Sequence, residues 1–266
     1  MQVVKEYPNG VFCWVDIGST DIEGAKRFYE ALFGWEAKDE PLPGGGFYTT
    51  FNLDGHRVAG GAQHDPNMLA QGVPSFWTSY VKHDNADAVA AKITEAGGTV
   101  MFPPMDVMEE GRMLIGQDPT GAAFGVWQPK NHTGAQLVNQ PNTLSWNELQ
   151  TRDTDGAMNF YSQVFGWTGD KDEAIGYTSL LADGRSQAGL IGMDENWEGV
   201  PPNWSVYFHV EDVEASTAKV EELGGKLIMP VIDAGDIGRF AVVQDPQGAM
   251  FNIIELNGPA SPPPGY

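Results

Sequence analysis

The chain has 266 residues, enough for two ordinary domains with separate cores and too many for a small stapled scaffold. Apolar residues make up 41% and aromatics 11%, so the chain can bury enough surface to offset its ordering entropy, which argues against wholesale disorder. Fifteen basic residues against thirty-six acidic ones leave a net charge of −21, a field that repels phosphate backbones and anionic membrane surfaces and makes nucleic acid a poor partner.

No run approaches the roughly 18 uninterrupted apolar residues of a membrane span, and MQVVKEYPNG lacks the basic and apolar regions of a signal peptide. The expected address is cytoplasmic, with no membrane partner. Cys13 is the only cysteine, so neither an intrachain disulfide nor a thiolate metal cluster is expected. The N-x-[ST] matches at Asn131 and Asn203 are then simplest as chance.

In chain order, Phe12 to Ile17 reads as a strand, and Thr20-Asp-Ile-Glu23 as a capping box opening a helix. Ala25, Phe28, Tyr29 and Leu32 give that helix one apolar face, and Gly34 ends it. Short strands follow around Tyr48 to Leu53 and Val58 to Ala62, joined by the Asp54-Gly55 turn. A second unit repeats the order, with a strand at Trp77 to Val81 and a helix from about Asn85 to Ala96, stopped by Gly97-Gly98. Its last strands, Arg112 to Gln117 and Ala122 to Gln128, flank the turn Asp118-Pro-Thr-Gly121. Each unit therefore reads β-α-β-β-β.

The whole pattern then recurs. Trp14, Asp21, Gly24, Phe28, Tyr29 and the Phe33-Gly-Trp35 run return 132 residues later as Trp146, Asp153, Gly156, Phe160, Tyr161 and Phe165-Gly-Trp167. Trp77, Tyr80, Arg112, Asp118 and Gly121 return 127 residues later as Trp204, Tyr207, Arg239, Asp245 and Gly248. Two tandem copies of one domain are expected, over residues 1–128 and 144–256, with a polar linker at 129–143 and a proline-rich, mobile tail at 257–266.

The D-x-x-x-A-x-x-FY-x-x-x-FGW runs at Asp21 to Trp35 and Asp153 to Trp167 resemble the vicinal oxygen chelate superfamily. So do the GR…DPxGA runs at Gly111 to Ala122 and Gly238 to Ala249. That superfamily includes glyoxalase I, bleomycin-resistance proteins and extradiol dioxygenases, and within it the chain resembles two-domain actinobacterial glyoxalase-like proteins. The resemblance implies an α+β fold in which paired βαβββ modules curl mixed sheets into open cups around a small ligand. It also implies metal ligands on the first strand of each module and on the last strand of the domain. At those positions stand Trp14 and Trp146, Thr78 and Ser205, Gly125 and Asn252, which cannot supply the several deprotonated donors that a transition ion needs. No metal and no cofactor is therefore expected.

Strand alternation places Asp16 beside Trp14 and Glu148 beside Trp146, facing the cup. Each carboxylate reads either as a base or acceptor with raised pKa, or as a solvated acid at a strand end. Ser205, Tyr207 and His209 alternate with an apolar face, and His209 is either a proton shuttle or a structural strand-end histidine. Arg112 and Arg239 are candidates to hold a ligand oxygen, or else anchor loops through salt bridges. Trp127 and Asn252 are cup-wall or core residues. His56, His64 and His132 fall in loops without ligand spacing, the Pro43-Gly-Gly-Gly46 run is a flexible connection, and Cys13 is a buried thiol.

Two functions remain open. One is an enzyme acting on a reactive carbonyl or aromatic metabolite, with Glu148, His209 and Arg239 as base, shuttle and oxyanion partner and Trp14, Asp16, Trp146, Tyr207, Asn252, Arg112 and Trp127 binding the ligand. The other is a resistance or sequestration protein that binds a metabolite unchanged. Whether modules pair within a repeat or between repeats is open, as is a homodimer.

Overall fold

A computed structural model of the chain describes residues 2–263. The first repeat runs β1 (Phe12–Ser19), α1 (Ile22–Phe33), β2 (Glu36–Pro41), β3 (Phe47–Leu53), β4 (His56–Gln63), then a short α2 (Pro66–Ala70). Its second module is β5 (Phe76–Lys82), α3 (Ala86–Glu95), β6 (Thr99–Val107), β7 (Gly111–Gln117) and β8 (Ala123–Pro129). The second repeat follows the same plan with β9 (Leu144–Thr151), α4 (Thr154–Phe165), β10 (Thr168–Asp172), β11 (Tyr177–Ala182) and β12 (Arg185–Gly192). A 3-10 turn (Glu195–Trp197) leads on to β13 (Asn203–His209), α5 (Val213–Glu222), β14 (Lys226–Asp233), β15 (Gly238–Gln244) and β16 (Met250–Leu256).

The helix entries correct one detail of the sequence reading. Asp21, not Thr20, caps α1, its carboxylate accepting from Gly24 N at 3.0 Å; Asp153 does the same for Gly156 N at 2.9 Å. The capping carboxylates lie so close over Gly24 and Gly156 that neither position has room for a Cβ, which explains the D-x-x-G spacing. Gly34 and Gly166 end the helices in left-handed conformation, φ +71° and +75°.

Each repeat forms one eight-stranded mixed sheet, in the orders β2-β3-β4-β1-β5-β8-β7-β6 and β10-β11-β12-β9-β13-β16-β15-β14. The central antiparallel pairs β1 with β5 and β9 with β13 join the two modules of the same repeat. Each cup is therefore built within one repeat, which decides the pairing that periodicity left open.

The FY-x-x-x-FGW runs build the contact between repeats. Tyr29 donates to Asp245 of the second repeat at 3.0 Å and accepts from Trp77 Nε1 at 3.1 Å. Tyr161 donates to Asp118 of the first repeat at 3.0 Å and accepts from Trp204 Nε1 at 2.8 Å. Trp35 and Trp167, both fully buried, donate to the carbonyls of Asn142 and Gly10. Around these bonds Phe33, Phe208 and Phe251 pack on one side, and Phe12, Phe124 and Phe165 on the other. Burying each such ring contributes about 1.5–3 kcal/mol, so this shared aromatic core makes the two repeats one folded unit.

The segment read as a polar linker packs tightly, with Ala135, Leu137 and Thr143 fully buried and His132 nearly so. It leaves β8 at the β7 side, where His132 N donates to Glu110 O, and reaches the β1 and β4 side, where Ala135 N donates to Cys13 O and Gln136 N to Arg57 O. It thus crosses the mouth of the first cup. The tail takes the matching route over the second cup: Asn257 N donates to Ile237 O, Asn139 Nδ2 to Ser261 O at 3.0 Å, and Arg185 to Pro262 O. The expected mobile stretch extends to residues 264–266, which lie outside the described residues.

Candidate functional site

The second cup encloses a cavity of about 920 Å³. On its floor, β9 supplies Trp146 and Glu148, β13 supplies Tyr207, and β16 supplies Asn252, while Ser205 of β13 bonds Asn252 outside the cavity lining. These residues are adjacent in register: Glu148 opposes Ser205, and Tyr207 lies between Trp146 and Asn252. Alternation puts all five on one face. Ile191, Ile232, Phe240 and Ile254 provide apolar walls, and Arg185, Trp197 and Ser261 also border the space.

Glu148 is 8% exposed. Its Oε1 accepts from Tyr207 Oη at 3.0 Å and from Gln150 Nε2 at 3.1 Å. Burial pushes its pKa up, and the bonds from Gln150 and the tyrosines only partly counter that. Burial, and then the Glu148 charge, also pushes Tyr177 and Tyr207 up, so both phenols stay protonated donors. Trp146 Nε1 donates to Tyr177 Oη at 2.9 Å, fixing the hydroxyl next to Glu148. Asn252 donates to Ser205 Oγ at 2.5 Å and to Val206 O at 3.1 Å, which leaves its buried Oδ1 without a partner among the described residues.

The first cup carries the same constellation. Asp16 Oδ2 accepts from Tyr80 at 3.1 Å and Tyr48 at 3.3 Å, and Trp14 Nε1 donates to Tyr48 Oη at 3.0 Å. Burial pushes Asp16 up to about 7 against those two bonds. Tyr48 and Tyr177, which the sequence reading passed over, complete the two sets. Their signal was present as a third constant offset of 129 residues.

The remaining sequence candidates lie elsewhere. His209 does not line the cavity: it ends β13 beneath residues 142 and 143, which it bonds through its backbone, beyond the Tyr207–Asn252 rung that borders the space. Burial pushes its imidazole down. Arg239 is engaged by Glu255 at 2.7 Å and Glu214 at 3.5 Å, outside the cavity lining. Arg112 holds Asp87 through two bonds of 3.0 Å and Asp106 at 3.3 Å. The geometry thus does not assemble Glu148, His209 and Arg239 into one site. Trp127 does face the first cup, against the ring of His132.

The fold implies a metal on these floors, but the donor sets do not fit one. Each strand floor offers a single carboxyl, already accepting from two side chains, beside indole, hydroxyl and either glycine or amide, and Asp233 borders the second cavity away from that floor on β14. Among the described residues no three His, Cys, Asp or Glu side chains converge. A divalent transition ion requires three or more such donors.

Comparison with known proteins matches this picture of tandem cups. Residues 12–126 and 142–253 both match the model of the Glyoxalase/Bleomycin resistance protein/Dioxygenase superfamily. The chain is 44% identical over 254 residues to "Putative glyoxylase CFP32" of Mycobacterium tuberculosis, covering 94% of this chain and 97% of that one. It is 37% identical over 272 residues to "Anthracycline biosynthesis protein DnrV" of Streptomyces peucetius, covering 95% and 96%. Among solved structures, the fold resembles the 2,3-dioxygenase LapB of Pseudomonas sp. KL28, with TM-score 0.64, 15% identity, and 97% and 96% of the two chains covered. It also resembles the Mn(II)-bound glyoxalase of Novosphingobium aromaticivorans, with TM-score 0.63, 16% identity, and 94% and 83% covered. The chain is thus a tandem-domain member of the Glyoxalase/Bleomycin resistance protein/Dioxygenase superfamily.

Proposed function

We propose that the second cup binds one uncharged, oxygen-bearing organic molecule, a reactive carbonyl or an aromatic compound, and that Glu148 exchanges a proton with it. The carrying observation is the carboxyl on the floor of an otherwise largely apolar cavity, buried and with its pKa raised. A charged ligand head would find no cation on that floor, since Arg185 borders the cavity and already donates to the tail. The names of the relatives point the same way, one to a glyoxylase and the other to anthracycline biosynthesis.

In its protonated form, which burial favours, Glu148 gives its proton to a ligand oxygen, forming O–H as electron density moves onto that oxygen. The carboxylate left behind is stabilised by Tyr207 and Gln150 and takes a proton from the neighbouring carbon, whose bonding pair becomes the new C=C. Atoms balance as a tautomerisation. No step needs a metal.

A second reading, binding without turnover, draws support from the separation of His209 and Arg239 from Glu148. Glu148→Gln distinguishes the two. With methylglyoxal as substrate probe and 1,8-dihydroxyanthraquinone, which has no C–H beside its carbonyls, as a binding probe only, binding is followed by tryptophan fluorescence and conversion by exchange of the methylglyoxal methyl protons in deuterated water. Under the first reading the variant keeps binding within a few-fold and loses turnover by at least ~100-fold. Binding by both proteins with conversion by neither supports sequestration, and binding by neither rejects the second cup as a site for these ligands.

A further inference from the structure

The two cups are built alike but filled differently. In the second, the ring of Trp146 borders the cavity. In the first, Trp14 is only 3% exposed, because the His132 ring stands edge-on to it with centroids 4.3 Å apart and planes at 88°. Trp127 flanks the same imidazole at 5.4 Å and donates its Nε1–H to the His132 carbonyl at 2.7 Å. Gly134 N donates to His132 Nδ1 at 3.3 Å, so the ring is held by aromatic faces and one hydrogen bond. The chain can turn back to place it there only through Gly134, at φ +120°, where a Cβ would lie 2.6 Å from Cys13 O. In the second repeat Trp127 is matched by Ile254 and His132 by Pro259, which is exposed and fills nothing. Imidazole and cavity thus occupy corresponding places.

From this we infer that the first cup is itself a binding site for a flat, uncharged azole ring, and that His132 is its resident occupant, supplied by the chain. The inference does not depend on what the second cup binds. It predicts that removing the imidazole leaves a vacancy shaped for the free heterocycle. Burial and then nearby Arg57, itself paired with Glu110 at 3.2 Å, push His132 down to about 3, so the seated ring is neutral and its free replacement must be neutral too.

The test is rescue of His132→Gly by imidazole at pH 8, read by thermal unfolding. The variant is expected to unfold several degrees below the unsubstituted protein, and millimolar imidazole to recover most of that loss saturably while leaving the unsubstituted protein unmoved. 1,3-Dimethylimidazolium, flat but permanently charged, should recover none of it. Equal shifts in both proteins, no shift in the variant, or equal rescue by the charged ring would overturn the inference. Should His132→Gly fail to fold, His132→Ala takes its place. The unsubstituted protein gives an independent reading: diethylpyrocarbonate should modify His56 and spare His132. Modification of His132 as fast as His56 would show that the ring is not seated, and would likewise overturn the inference.

Discussion

Asp16 and Glu148 stand at the same place in two copies of one domain, and both are carboxyls held by tyrosine hydroxyls in a site too dry to favour their charge. For Asp16 the pKa is raised from 3.8 to about 7. A raised carboxyl pKa favours the folded state below the unfolded value, and that contribution is lost as pH rises through the folded value. The unsubstituted protein should therefore lose stability between about pH 4 and pH 7, and Asp16→Asn should lack that component and be the more stable of the two at pH 8. Denaturant midpoints across this range check it. Glu148 is raised as well, so any proton it donates should be available at low pH and withdrawn as pH rises, giving a turnover profile whose falling limb disappears in Glu148→Gln. Strand alternation was enough to find these two acids and their tryptophans. It could not find Tyr48 or Tyr177, whose hydroxyls arrive from strands two places away in the sheet, because cross-sheet contacts have no period along the chain.

Among the elements, the segments that follow β8 and β16 differ most from expectation. Polar composition suggested a linker, yet residues 130–138 cover the first cup through backbone bonds to Glu110, Cys13 and Arg57. Gly134 is the point where that path is tightest. Gly134→Ala should cost about 1–3 kcal/mol by forcing a side chain into left-handed backbone against Cys13 O, measured as a fall in denaturation midpoint at unchanged slope. The tail over the second cup is held more lightly, by Asn139 and Arg185 to two carbonyls. Strand β13 shows the opposite failure of a simple rule. It pairs without a break against β16 through Tyr207, Phe208 and His209, yet only Tyr207 of the three borders the cavity; His209 lies where residues 142 and 143 bond the strand end, a placement that no residue in NWSVYFH marks.

For the whole molecule, the two repeats are joined by paired hydrogen bonds, Tyr29 to Asp245 and Tyr161 to Asp118, inside a common aromatic core. Tyr29→Phe leaves Asp245 short of a donor and Trp77 short of an acceptor, and Tyr161→Phe does the same to Asp118 and Trp204. Each should cost about 1–3 kcal/mol in equilibrium unfolding, which should remain a single transition because neither repeat covers its aromatic face alone. Metal content is a property of the assembled cups. Protein purified without added metal should carry well below one transition ion per chain by elemental analysis, since neither floor brings three ionisable donors together.

The tandem repeat and the element order follow from residues a fixed distance apart in the chain, while the superfamily and the absence of its usual ion ligands are what the motifs' resemblance to known proteins implies. Periodicity and spacing are local quantities, readable without coordinates. Which modules share a sheet, which cup stays open, and whether Glu148, His209 and Arg239 meet depend on contacts between distant segments. Those contacts are selected by close packing and by the demand that every buried polar group find a partner, and neither condition is expressed until the whole chain is folded.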